Sequence, residues 1–170
     1  MTAAPVDESK LRRVSLSTNA LLFTSNPSSG SFDTNARVLD LLKAMRNKYR
    51  LFLITQVSNE GSLDHETAKA QLQELVDAGA VKAHRVLFCS TADGKKSLIR
   101  QLGAELHIET DAVLVEGLQR FMNKFHLIKT PANKEDVTRV AKQYADKVVS
   151  FRSADAYAAK LLPSLQTSAS

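Results

Sequence analysis

The sequence predicts a three-layer α/β domain with about six mostly parallel strands and helices on both faces. Three observations predict it. Short runs rich in β-formers alternate with longer segments of helical spacing, the pattern of repeated strand–helix–strand units. The chain has 170 residues, the size of one ordinary domain. It is 44% hydrophobic and 24% charged, close to the average soluble globular protein. That balance excludes a disordered chain, a collagen-like repeat and a membrane-embedded protein.

Each element follows in order. The first strand is predicted over residues 13–23, with a kink or break at Ser17-Thr18-Asn19. Residues 24–34, with Pro27, Gly30 and a run of serines, predict a flexible loop. A helix over 35–47 gathers Val38, Leu41, Leu42 and Met45 on one face. A strand over 50–55 leads to a helix over 64–78, which gathers Ala68, Leu72, Leu75 and Val76 and ends at Gly79, a good C′ residue. A strand over 85–89, a helix over 95–102 closed by Gly103, and a strand over 105–108 come next. The helix predicted over 112–123 buries Val115, Leu118, Phe121 and Met122. A strand over 126–128 precedes a helix over 133–145, with Asn133 as N-cap and Asp136 at N3. The last strand, 147–151, is followed by a helix over 153–162 that Pro163 stops. One domain over 12–163 is therefore expected, with disordered tails over 1–11 and 164–170.

No transmembrane segment is expected. The longest apolar runs are short, as in Leu51-Phe52-Leu53-Ile54, whereas a membrane helix needs about 20 such residues. The polar start of the chain lacks the apolar core of a signal peptide. One cysteine excludes an internal disulfide and a four-cysteine zinc site.

Chemistry-bearing motifs are sparse. Neither a dinucleotide-binding glycine fingerprint nor a P-loop is present. Gly94-Lys95-Lys96-Ser97 resembles a P-loop ending without its earlier glycine, and reads as a solvated helix start. Cys89 ends an apolar run and reads as a small core residue; His84 and His107 are candidate bases that the fold could bring close to it, but nothing in the sequence fixes that. The four histidines are scattered, so no metal site is expected. The net charge of +5 permits an acidic partner. With no Trp and 6% aromatics, a nucleic-acid partner is not expected. Glu109-Thr110-Asp111 falls just past a predicted strand, at the edge where open α/β sheets hold ligands. It reads equally as a cap of the following helix.

The order of strand ends carries a resemblance. The run Val14-Ser15-Leu16-Ser17-Thr18-Asn19-Ala20-Leu21-Leu22-Phe23 resembles the first motif of the haloacid dehalogenase-like superfamily, an apolar strand followed by Asp-x-Asp-Gly-Thr-Leu. The resemblance puts Ser17 in the place of the nucleophilic Asp and Asn19 in that of the acid–base Asp. It puts Thr55 at the end of the second motif, Lys96 in the third and Glu109 in the fourth. A phosphoaspartate mechanism needs a carboxylate nucleophile and carboxylates for Mg²⁺. Ser17 and Asn19 supply neither, so a retained scaffold with a vestigial pocket of Ser17, Asn19, Thr55, Lys96 and Glu109 is expected, with no cofactor.

A narrower resemblance rests on Val86-Leu87-Phe88-Cys89-Ser90-Thr91, Ser97-Leu98-Ile99-Arg100-Gln101-Leu102 and His107-Ile108-Glu109-Thr110. These look like the soluble domain of the peroxin-22 family, and the similarity covers about residues 12–128. It implies a Rossmann-like domain that binds and activates the ubiquitin-conjugating enzyme of the peroxisome for recycling of the import receptor. It also implies no catalysis of its own. The implied location is the cytosolic face of the peroxisome or a related organelle such as the glycosome. Membrane association is then expected through a segment or partner outside this chain. The competing expectation is a haloacid dehalogenase-like phosphatase, or a pseudophosphatase of other function.

Overall fold

The computed structural model describes residues 7–26 and 31–167. Among them, β1 (Arg12–Ser17), β2 (Phe23–Asn26) and β3 (Ser31–Thr34) precede α1 (Ala36–Met45). Then come β4 (Tyr49–Gln56), α2 (Leu63–Asp77), β5 (Val86–Cys89), α3 (Ala92–Leu102), β6 (Leu106–Glu109) and α4 (Ala112–Leu118). The chain closes with β7 (Phe125–Ile128), α5 (Lys134–Gln143), β8 (Val148–Phe151) and α6 (Ala154–Thr167). Six strands form one sheet in the order β5-β4-β1-β6-β7-β8, and every neighbouring pair is parallel. This is the predicted three-layer, Rossmann-like architecture.

The chain steps outward from β1 to β4 and β5, then returns to the other side of β1 for β6, β7 and β8. The order reverses beside β1, so a crevice opens outside the carboxyl ends of β1, β4 and β6. Right-handed crossovers put α1 and α2 on one face and α3, α4 and α5 on the other. Two apolar clusters record this. Val14, Leu16, Leu51, Leu53 and Ile108 pack with Leu41 and Leu42 of α1, Leu72 of α2 and Tyr157 of α6. Ile54, Phe125 and Leu127 pack with Ile99 of α3, Val115 of α4 and Val137 of α5.

Local chemistry explains the boundaries. Asn35 caps α1, its side chain accepting from the Arg37 and Val38 amides. Gly79 at φ +77 ends α2: its amide donates to Val76 O and that of Ala80 to Leu75 O, a Schellman pair of bonds. Thr91 caps α3 by accepting from Gly94 N, so this helix begins three residues before the predicted 95–102.

Several expectations are corrected. The loop predicted over 24–34 contains an antiparallel hairpin, β2 with β3, in register Phe23↔Thr34 to Asn26↔Ser31; residues 27–30 lie outside the described residues. The helix predicted to 123 ends at Leu118. A tight turn, Phe121 N to Leu118 O at 2.9 Å, carries Met122 into the core and leaves Phe121 49% exposed. Asn133 precedes α5, but its side chain makes no cap bond. It spans instead to Thr130 N, Thr110 O and Ile128 O, tying the loops after β6 and β7 together. Pro163 does not stop the last helix, which continues to Thr167 because Leu161, Leu162 and Leu165 pack on the core. Of the predicted tails, residues 1–6 and 168–170 lie outside the described residues, while Glu8–Lys10 forms a 3-10 turn.

Candidate functional site

The two-residue period of β1 sends Val14 and Leu16 to one face and Ser15 and Ser17 to the other. Its neighbour β6 does the same with Ile108 against His107 and Glu109, in register Ser15↔His107. On the α3 side, therefore, the middle of the sheet presents four polar side chains, all buried. They form one chain of contacts. Ser15 Oγ lies 2.7 Å from His107 Nδ1, and His107 Nε2 donates to Glu109 Oε1 at 2.9 Å. Lys95 comes down from α3 and places Nζ 3.1 Å from Glu109 Oε1 and 2.5 Å from Ser17 Oγ. Thr110 N and Asp111 N donate to Glu109 Oε2 at 2.9 and 3.1 Å.

Glu109 is fully buried, and burial alone would push its carboxyl pKa up. The adjoining Lys95 ammonium and the bonds from His107 and the Asp111 amide outweigh this and hold it at about 2. It is a carboxylate with both oxygens engaged.

The end of β1 turns tightly around one carbonyl. Thr18 O accepts from the amides of Leu21, Leu22 and Phe23, and Ala20 sits at φ +61. Thr18 Oγ1 meets Thr55 Oγ1 at 2.6 Å. Asn19 works as an extra rung of the β1–β4 ladder: its Nδ2 donates to Gln56 O at 2.9 Å, and its Oδ1 accepts from Gln56 N at 2.8 Å. Above these groups lies an open cleft of about 430 Å³, rimmed by Asn19, Gln56, Asp64, Ser90 and Asp111. The Asp64 carboxyl is held below its ordinary pKa, first by the Ser62 hydroxyl.

The structure thus gathers four of the five sequence-predicted residues at one sheet edge: Ser17, Asn19, Thr55 and Glu109. Lys96 is not among them. It lies on the surface, 3.7 Å from Asp93 Oδ1, and Lys95 occupies the buried position instead. One residue along a helix turns a side chain by about 100°, so Lys95 faces the sheet while Lys96 is swung out to the surface. Sequence reading also missed Ser15 and His107. The signal for both was the alternation itself, since each sits two residues before a predicted site residue on the same strand. His107 is nowhere engaged with Cys89, whose thiol leans on Thr55 O and has its pKa raised by burial. Among the described residues, no three or more His, Cys, Asp or Glu side chains cluster to hold a metal ion. No described helix is long and apolar enough to cross a membrane.

In shape, the chain is similar to the D,D-heptose 1.7-bisphosphate phosphatase from B. bronchiseptica, solved with magnesium and phosphate. The TM-score is 0.63 at 13% identity, covering 91% of this chain and 99% of that one. At that identity the likeness speaks for the fold, which is haloacid dehalogenase-like. The donors around the cleft do not suit a magnesium ion: Ser17 and Asn19 carry no charge, Glu109 is saturated by Lys95, His107 and backbone amides, and the rim carboxylates Asp64 and Asp111 are engaged by Ser58 and Ser62 and by the Leu114 amide. In sequence, peroxisome biogenesis protein 22 of Arabidopsis thaliana is 34% identical over 90 residues, 50% of this chain and 30% of that protein. The match thus covers less than a third of that relative's length. Residues 7–146 match the family described as Peroxisome biogenesis protein 22, Haloacid dehydrogenase-like domain. The chain therefore belongs to the peroxisome biogenesis protein 22 family.

Proposed function

We propose that this domain is a non-catalytic adaptor that docks the ubiquitin-conjugating enzyme of the peroxisome on the organelle's cytosolic face and favours its discharge. Family membership supports the peroxisomal setting. The observation that carries the non-catalytic half is the ion pair of Lys95 with Glu109, closed over Ser17 at the carboxyl edge of the sheet. A phosphoaspartate mechanism, that of the resembled superfamily, needs a free carboxylate nucleophile there. This arrangement offers a hydroxyl already bound by a buried ammonium. A domain with no reactive centre acts by differential binding: by preferring the enzyme's competent conformation, it shifts the population toward it.

The test is titration of the purified domain against the peroxisomal conjugating enzyme of the same organism, with ubiquitin discharge followed in parallel. Saturable binding with faster discharge is expected. No binding at tens of micromolar overturns the adaptor reading, and binding without a change in discharge removes its activating half. The likeness in shape to a phosphatase supplies the second reading. Mg²⁺-dependent turnover of an aryl phosphate, lost in Glu109→Ala, would replace the adaptor with a hydrolase; none is expected.

A further inference from the structure

Because every strand pair in the sheet is parallel, the molecule has two unlike ends, and the loops at the two ends carry opposite charge. The segments that lead into or begin the strands are 7–13, 46–50, 77–85, 102–105, 119–124 and 144–147. Together they hold eleven Lys and Arg against five Asp and Glu. The segments that end or leave the strands, with the first turns of the helices that follow, are 18–35, 57–66, 90–95, 109–111, 129–136 and 152–155. These hold four Lys and Arg against ten Asp and Glu. The chain's surplus of positive charge therefore gathers at the amino-terminal end of the sheet.

Helices account for part of this polarity. They end at the amino-terminal edge of the sheet and begin at the other, and their dipoles favour cations at the ends and acids at the starts. Lys10, Arg12, Arg50 and Lys124 fall outside that explanation, since each stands before or at the start of a strand, beyond the last turn of any α-helix. Several cations of this edge are held by carbonyls. Arg13 donates to Leu102 O at 3.1 Å, Arg50 to Leu11 O at 3.0 Å, Lys147 to Gln119 O at 2.7 Å, and Arg46 to Gly79 O. A neutral acceptor fixes the side chain without cancelling its charge. Lys10 and Lys124 are exposed. Arg12 meets Glu105 at 3.5 Å, a pair largely open to solvent and therefore weak.

Six strand starts at about 4.8 Å spacing spread this charge over roughly 24 Å, an area rather than a pocket. The apolar centre of a protein interface is missing there. Phe121 is the one large exposed hydrophobic side chain among the described residues at this end, and the Arg100 guanidinium carbon lies over it, 3.7 Å from the ring centroid. With aromatics at 6% of the chain, no base-stacking platform is built here either. We propose that this end of the sheet, with Lys10, Lys48, Arg50 and Lys124 at its face, is an electrostatic contact for a membrane surface rich in anionic phospholipid. Headgroups present phosphate over an area and need no shape match, and each Lys or Arg within a Debye length adds to the attraction. The acidic end is repelled by the same surface, so the domain is oriented, with the cleft at the carboxyl edge facing away from lipid. This contact rests on the organelle-surface part of the proposed function and is independent of enzyme docking.

The test is flotation of the purified chain with phosphatidylcholine vesicles made with and without phosphatidylserine. The parent chain is expected to float with the anionic vesicles at about 0.15 M salt and to be released at about 1 M, where the Debye length shrinks from about 8 to about 3 Å. Lys10→Glu, Lys48→Glu and Lys124→Glu combined are expected to lower partitioning at least about tenfold, and the same three changed to Gln to lower it less. Lys69→Glu, Lys134→Glu and Lys160→Glu combined lie on exposed positions of α2, α5 and α6 away from this end. They change the net charge equally and are expected to stay within about threefold of the parent, because salt screens charges that do not face the bilayer. Thermal melts show that each set folds, and the glutamine set decides the matter if the glutamate set does not fold. No flotation of the parent with anionic vesicles, equal flotation with neutral ones, or equal losses from the two glutamate sets overturns the contact. Retention of the parent on duplex RNA at a salt that releases it from vesicles overturns it too. Binding of the conjugating enzyme, measured without lipid, is read separately and decides the adaptor alone.

Discussion

Successive residues on an α-helix point about 100° apart, and at the start of α3 that angle separates two lysines with different fates. Lys95 is buried against Glu109, and Lys96 lies at the surface beside Asp93. Removing one partner of a buried ion pair leaves an uncompensated charge. Lys95→Met is therefore expected to lower unfolding free energy by about 3–5 kcal/mol in urea denaturation. Lys96→Met is expected to stay within about 0.5 kcal/mol, as surface substitutions do. Equal effects would mean that the network is not closed as described. Asn19 makes a comparable case. Its amide both donates to and accepts from Gln56, and a carboxylate can only accept. Asn19→Asp, which restores the acid of the resembled motif, is expected to cost about 1–3 kcal/mol of stability and to yield no phosphatase. An unchanged melting temperature would count against the ladder role.

Elements hold titratable groups in different ways. His126 on β7 faces Tyr157 of α6, with Nδ1 2.7 Å from the phenol oxygen, and both rings pack edge-on against Phe151. Burial, and then the Lys124 charge, lowers the His126 pKa from 6.5 to about 4. Burial also raises that of Tyr157. A depressed histidine means that the unfolded chain takes up a proton before the folded one does. Stability therefore falls as pH drops from about 6.5 to about 4, then levels off for this group. Glu109 acts lower on the scale. Its stabilisation is full above its ordinary value of 4.5 and is lost as pH falls toward about 2. In His126→Phe the slope between pH 6.5 and 4 is expected to shrink, with some stability lost at neutrality from the stranded Tyr157 hydroxyl. Thermal melts across this range check it; an unaltered slope would assign the acid sensitivity elsewhere.

At the scale of the whole molecule, the segment after α5 is not an appendage. The family match ends at residue 146, yet Val148 lies in the apolar cluster under α3, α4 and α5. Tyr157 and Ala158 lie in the opposite cluster, packed with β1, β4 and α1. The last strand and helix thus complete both layers. A chain ending at residue 147 is expected to lose cooperative thermal unfolding, because α1 would expose the face that α6 covers. A sharp melt of that truncated chain would show that the layers close without it.

The sequence by itself determined the chain order and type of the six sheet strands and six helices, the break at Ser17-Thr18-Asn19, and the carboxyl-edge placement of Glu109; Ser17, Asn19 and Thr55 were grouped with it only through the family resemblance. Hydrophobic period and helix-ending glycines are local signals, and local signals survive in a linear reading. The hairpin at 23–34 was hidden because polar, serine-rich residues carry no alternation, and the end of α4 because Phe121 continues the helical spacing while standing outside the core. Only the tertiary structure chose between Lys95 and Lys96, joined Ser15 to His107, and put Asn133 across two loops instead of on its own helix. Those choices depend on parallel register and on which helix face meets the sheet. Both are set by burial summed over the whole core, which no short stretch of sequence contains.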